Sequence, residues 1–332
     1  LILMILRLLH SQYAEQGEHS VTKKIDFIIS GYNSFDHMIT LKSDILVGKT
    51  SLVKNATCLK AHWGGCSVNV AVALQRLGLK AAPILRVGDD FETSGFREFL
   101  LTEGISLETI SSVESDICSL SFMIQQPDGE HVTLFYPGAM DEKYAIKPPL
   151  SWFRESKAAL MTVASHQDNV FFLERVKQAG IPLYFGMKGD ADAFPSEFLE
   201  DVFRHSRIIF MNEAESKQIC HAFNLDHIRF LSGKGETEVV VITKGKNGAV
   251  YFTADGRSES VPAYKVREIV STTGSGDAFI AGFLYALSQN MPYRLCCRCG
   301  AAVASFVLEA EACTSNLPAR SKLYTRFNYH NE

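Results

Sequence analysis

The chain has no large excess of charge of either sign, no compact disulfide framework and no apolar run long enough to cross a bilayer. Its 332 residues carry 33 Lys and Arg against 37 Asp and Glu, a net charge of −4. No global basic field therefore points to nucleic acid or to an anionic membrane surface. Phosphate can still be bound, because phosphate sites are local and often built from backbone amides. Cys58, Cys66, Cys118, Cys220, Cys296, Cys297, Cys299 and Cys313 are scattered along the chain, so a reducing cytosol is expected. Cys296, Cys297 and Cys299 have no second CxxC or CxH pair at zinc spacing. They lie in CCRCGAAVASFVL, which reads as a helix using Cys as a small apolar residue. The opening LILMILRLLH is about half a membrane span and lacks a basic flank or a small-residue cleavage site. Residues 1–23 are expected to be an extension outside the core. A phosphate-binding P-loop is missing too: VGKTS at 47–51 holds Gly-Lys-Thr, but the required glycine falls on Ser43. No repeat, low-complexity tract or long linker breaks the chain.

What is present is an ordinary globular composition, 46% hydrophobic and 21% charged, enough for one large α/β domain with a small appendage. Short apolar runs recur at 25–30, 159–163, 182–185, 207–211 and 239–243, with helix-like stretches between them, such as 168–180 and 196–205. Continuous hydrophobicity predicts strands covered on both faces, as in a parallel sheet between helix layers. Residues 37–62 and 117–136 alternate instead, with a turn at Asp128-Gly129, and predict an antiparallel patch at the edge of the body. Such a patch is either a lid or a set of ordinary edge strands.

Four segments carry candidate chemistry. In STTGSGDAFIAGFLYAL, Gly274, Ser275 and Gly276 form a small-residue turn, and Asp277 enters the first turn of a helix. Free amides at a helix N-terminus attract phosphate, and a carboxylate beside them can accept the proton of an attacking hydroxyl. An Asp that only caps a helix would look the same. In HWGGCSVNVAVALQRLG, Gly64 and Gly65 permit close backbone approach, and Asn69 lies in the first turn of a helix stopped by Gly78. Asn69 either reaches substrate hydroxyls or caps its helix. In FMNEAES, Asn212 and Glu215 follow a strand with spacing that suits water-mediated Mg²⁺ or a capping box. In VVVITKGKNGAVYF, Thr243, Gly245 and Gly248 form a nucleotide-contacting loop or a plain hairpin turn.

Together, in this order and spacing, the segments resemble the ribokinase-like (PfkB-type) carbohydrate kinases, over about Ile25 to the C-terminal region. WGGCSVN and LFYPGAM, residues 134–140, are closer to the prokaryotic adenosine-kinase-type branch than to true ribokinases. The resemblance implies a doubly wound, mostly parallel α/β sheet with helices on both faces and a small β-sheet lid drawn from about 37–62 and 117–136. It implies ATP-dependent phosphotransfer to a sugar or ribonucleoside hydroxyl. It makes Asp277 the base, with Gly274, Ser275 and Gly276 as the anion hole. It gives Asp36, Gly64, Gly65 and Asn69 to the substrate, and Asn212, Thr243, Gly245 and Gly248 to the nucleotide. Asn212 and Glu215 would organise Mg²⁺, through water. The lid can pair across a homodimer in this family.

Two departures stand out. The family usually has Asp where this chain has Ser271, so weak or absent K⁺ activation is expected. EACTSNLP also lacks a glycine that the family often has there. The competing functions are a phosphosugar kinase, a pterin or vitamin kinase of the same fold, and a non-catalytic binding relative, against which Asp277 argues.

Overall fold

In a computed structural model, which describes residues 23–128 and 131–327, the apolar runs become the strands of one large sheet. In chain order the elements are β1 Ile25–Ser30, β2 Ser34–Thr40, β3 Ala61–Gly64, α1 Cys66–Arg76, β4 Ala81–Val87, α2 Phe96–Thr102 and β5 Ile110–Ser112. Then come β6 Leu120–Gln125, β7 His131–Tyr136, α3 Leu150–Arg154, β8 Ser156–Met161, α4 His166–Ala179, β9 Leu183–Gly186, α5 Ser196–His205 and β10 Ser206–Asn212. The chain continues through α6 Glu213–Ala222, β11 Val239–Thr243, β12 Ala249–Thr253, β13 Ser258–Val261, α7 Ser275–Ser288, α8 Tyr293–Val307 and α9 Arg320–Arg326. The N-terminal extension, apart from Lys23, and Gly129 of the expected turn lie outside the described residues.

The large sheet runs β13-β12-β11-β10-β9-β8-β1-β4-β5. The strands from β11 to β5 are parallel, and β12 and β13 close one edge as antiparallel hairpins. Successive residues of each strand feed opposite cores. Phe27, Ile29, Val239 and Val241 pack with α1, α2, α7 and α8. Ile28, Val240 and Ile242 pack with α3, α4, α5 and α6. Burial on both sides is why these runs read as continuous rather than alternating. Cys296, Cys297 and Cys299 are fully buried in α8. Among the described residues no cluster of His, Cys, Asp and Glu could hold a metal directly, and no helix is long and apolar enough to cross a membrane.

A second sheet, β3-β2-β6-β7, forms from the alternating segments. It corrects one expectation: β2 and β6 pair in parallel, so the patch is mixed, and only β2–β3 and β6–β7 are antiparallel. The cause is topological. Between β2 and β6 the chain leaves to build α1, β4, α2 and β5, a crossover long enough for the parallel return that a short hairpin could not make. Most of residues 43–60 is loop rather than strand. Phe135 of β7 meets the ring of Tyr32, in the β1–β2 loop, edge-on at 4.8 Å, so one face of the small sheet lies over the mouth of the large one. On the opposite face Val132, Leu134 and Tyr136 are 41%, 55% and 44% exposed.

Candidate active site

The carboxyl ends of parallel strands are where open α/β sheets bind ligands. Here the end of β1 meets the start of α1, where Ser67 Oγ donates to Gly31 O at 2.8 Å, and the segment after β9 meets the start of α7 through Lys188 and Asp277. Helix α7 is entered through Gly274, at φ 76°, a left-handed conformation that favours glycine. A Cβ there would lie 2.7 Å from Cys313 Cβ, so Gly274 also lets the EACTSNLP segment close behind the turn. The first-turn amides of a helix have no carbonyl partner within it. Ser275 turns its N–H toward Thr272 O at 3.3 Å, whereas the amides of Gly276 and Asp277 have no partner among the described residues. A Cβ on Gly276 would meet nothing within 4 Å. The amides left open to a ligand are therefore those of Gly276 and Asp277, with Gly274 and Ser275 shaping the turn.

Asp277 is 3% exposed. Its Oδ2 accepts a hydrogen bond from Asn69 Nδ2 at 2.9 Å, and its Oδ1 accepts none. Lys188 Nζ stands 3.3 Å from that Oδ1. Asn69 does not cap its helix, since the N-cap of α1 is Gly65; its amide joins α1 to α7, and its Oδ1 is buried and unpartnered. Gly64 lies between: a Cβ there would be 2.6 Å from Asp36 Oδ2 and 3.2 Å from Asn69 Oδ1. Asp36, Gly64, Asn69 and Asp277 thus line one space.

Asp36 is 7% exposed and accepts a hydrogen bond from Ser34 Oγ at 2.6 Å. Burial pushes its carboxyl up to about 7, the Ser34 bond opposes this, and the Asp277 charge adds to the rise. Burial likewise pushes the Cys66 thiol, at the start of α1, up to about 12, so it stays protonated. Lys188 is raised, chiefly by the Asp277 carboxylate and against its own desolvation, with Glu215 adding to the rise. It remains a cation at any physiological pH.

On Gly65, at φ 95°, a Cβ would sit 2.3 Å from Tyr32 O and 2.6 Å from Asn33 Cα, so that side of it is packed on the β1–β2 loop. Asn212 and Glu215 form the capping box of α6: Asn212 N donates to Glu215 Oε2 at 2.7 Å, and Glu215 N to Asn212 Oδ1 at 2.8 Å. Burial raises the Glu215 carboxyl, opposed by the Asn212 amide and the Lys188 charge. Thr243 pairs with Asn212 across β10–β11. Gly245 opens a 3-10 turn into free space, but a Cβ on Gly248 would lie 2.0 Å from Val261 O. The segment is a hairpin turn in which Gly248 serves packing and only Gly245 faces open space. Ser271 turns its hydroxyl onto its own loop, accepting from Thr273 N at 3.2 Å.

Sequence reasoning missed Lys188 and Cys313. A signal for Lys188 existed: a charged residue between Met187 and Gly189, just past a buried strand's carboxyl end.

The description of the pfkB family of carbohydrate kinases matches residues 34–320. The chain belongs to this family. It is 29% identical over 273 residues to a nucleoside kinase of Methanocaldococcus jannaschii, covering 82% of this chain and 87% of that protein. It is 29% identical over 303 residues to a nucleoside kinase of Methanothermobacter thermautotrophicus, covering 91% and 95%. The crystal structure of the M. jannaschii nucleoside kinase, an archaeal member of the ribokinase family, superposes with a TM-score of 0.82 at 25% identity, covering 93% of this chain and all of that one. A Burkholderia thailandensis nucleoside kinase in complex with inosine has the same fold, with a TM-score of 0.79 at 22% identity over 91% and 95% of the two chains. This pfkB chain is a kinase with the ribokinase fold, and its two-sheet architecture is the one those structures share.

Proposed function

We propose that this kinase transfers the γ-phosphoryl group of ATP to a hydroxyl of a ribonucleoside, with Asp277 as the base. The observation that carries the chemistry is the pairing of a buried carboxylate oxygen that accepts no hydrogen bond, Asp277 Oδ1, with unpartnered amides at the same helix N-terminus. Asn69 fixes the other oxygen at 2.9 Å, so Oδ1, which faces Lys188 Nζ at 3.3 Å, is oriented. The acceptor hydroxyl gives its proton to Oδ1 as its oxygen bonds the γ-phosphorus, and the electrons of the broken bond leave on the β-phosphate oxygen of ADP. The Gly276 and Asp277 amides stabilise the developing charge.

Asp36 and the free Oδ1 of Asn69 both accept hydrogen bonds from hydroxyls, and Gly64 keeps the space between them clear. Two adjacent hydroxyls, as on a ribose, match this pair of acceptors. The nucleoside part of the reading rests on the relatives named above, two of them spanning most of their own length. The nucleotide would run along the edge past Asn212, Thr243 and Gly245. Glu215 and Asn212 hold one another, so they suit Mg²⁺ only through its water shell, the ion being carried on the nucleotide phosphates. When bound, Mg²⁺ neutralises charge on the transferring phosphoryl group.

The small sheet would serve as the lid. Its outer face of Val132, Leu134 and Tyr136 supports pairing with a second copy, which sedimentation of the purified protein checks. Eight free cysteines suit a reducing cytosol. ATP consumption over ribonucleosides, pentoses, hexoses and their phosphates tests the function. Ribonucleosides should react faster than fructose 6-phosphate; reaction with phosphosugars alone would refute the substrate class.

A further inference from the structure

Lys188 is unaccounted for by any motif. It follows β9 by two residues, and its carbonyl accepts from Asp190 N at 2.8 Å. Asp190 Oδ1 in turn accepts from Asp192 N at 3.1 Å and Ala193 N at 2.9 Å, which stiffens the loop carrying it. The side chain is 37% exposed where that of Asp277 is 4% exposed, so its ammonium lies between the buried carboxylate and the open mouth. It faces the one Asp277 oxygen that accepts no hydrogen bond, and the Gly276 and Asp277 amides open beside it. An ammonium carries three donors and no acceptor, so it can serve Asp277 and a phosphoryl oxygen in turn or together. A nucleotide triphosphate entering this space meets Asp277, Asp36 and Glu215, all carboxyl groups, and Lys188 is the cation placed among them.

We propose that Lys188 is a catalytic residue that pairs with Asp277 in the nucleotide-free enzyme and moves onto the γ-phosphoryl group when ATP binds, freeing Asp277 Oδ1 for the acceptor hydroxyl. In the transfer Lys188 donates hydrogen bonds to non-bridging γ-oxygens and gives up no proton. The acceptor's proton goes to Asp277, the new bond is acceptor oxygen to γ-phosphorus, and ADP leaves with the electron pair. This rests on the kinase reading, but its consequence for binding does not require turnover. A triphosphate should be preferred to a diphosphate because of Lys188, since the interaction is with the group that distinguishes them.

The test compares Lys188→Met and Lys188→Arg with the wild type, by calorimetric affinity for ADP and for a non-hydrolysable ATP analogue, and by kcat and KM on the best acceptor. Lys188→Met should lose the preference for the triphosphate while its affinity for ADP stays within about threefold. Its kcat should fall roughly 10²–10³-fold, as when one donor aimed at developing charge is removed. Lys188→Arg, still a cation and donor, should recover part of both. An unchanged triphosphate preference in Lys188→Met overturns the proposal, whether kcat holds or falls with the melting temperature. A wild type that binds both nucleotides but phosphorylates no nucleoside or sugar would instead refute the functional reading, and the binding comparison would still decide the role of Lys188.

Discussion

Asp36 makes substrate binding depend on pH in a direction its environment dictates. Its carboxyl is pushed from 3.8 to about 7, chiefly by burial. The ionised form is the stronger acceptor of a hydroxyl hydrogen bond, so the substrate selects it and binding releases a proton. Below about pH 7 the apparent KM should rise as the ionised fraction falls, approaching tenfold per pH unit, and it should level off above about pH 8. Stability runs the opposite way. An acid with a raised folded-state value favours folding when protonated, so that contribution is complete below pH 3.8 and is lost as pH rises through about 7. The upper bound is three pH units' worth, on the order of 4 kcal/mol. Asp36→Asn, which has no charge to desolvate, should therefore raise the melting temperature at pH 8 while weakening the acceptor KM at least tenfold. The assay is KM for the acceptor at saturating ATP from pH 5.5 to 8.5, with calorimetry in two buffers of different ionisation enthalpy to count protons. A flat KM with no proton released at pH 6 would refute the reasoning.

Four other outcomes follow from the site. Glu215→Gln keeps an oxygen to accept from Asn212 N, so the melting temperature should move by less than the equivalent of about 1 kcal/mol while the Mg²⁺ requirement rises. Unfolding with an unchanged Mg²⁺ dependence would leave only the capping role. Gly64→Ala puts a methyl 2.6 Å from Asp36 Oδ2 and should lower kcat/KM with a near-normal fold. Gly65→Ala, at φ 95° and 2.3 Å from Tyr32 O, should destabilise the whole protein by about 1–3 kcal/mol, which thermal melts of the two variants separate. With Ser271 bonded within its own loop, K⁺ should activate no better than Na⁺ at fixed ionic strength, and a large saturable K⁺ effect on kcat would contradict that.

The parts legible in the sequence were those set by local pattern. The runs at 25–30 and 239–243 coincide with β1 and β11, and 196–205 with α5, because continuous hydrophobicity and helical spacing are properties of neighbouring residues. The parallel pairing of β2 with β6 was not legible, since alternation predicts a half-buried strand but not the direction of its partner. Asn69 was ambiguous between capping and ligand binding until its amide was seen to join Asp277, 208 residues away. Gly64 and Gly65 read alike as a pair, yet one lies against Asp36 and Asn69 and the other packs on Tyr32, a difference that lies in where each Cβ would point. Lys188 escaped because its partner is a distant carboxylate rather than a neighbour in the chain.

The most direct test of the account is Asp277→Asn, with turnover and nucleotide affinity measured on the same preparation. Asn retains the shape and can still accept from Asn69, but it cannot take up the acceptor's proton. The kcat should fall roughly 10²–10⁴-fold, with affinity for a non-hydrolysable ATP analogue undiminished, because that rests on the helix amides and on Lys188. Turnover within a few-fold of the wild type on its preferred acceptor would show that Asp277 is a structural residue and that the base lies elsewhere.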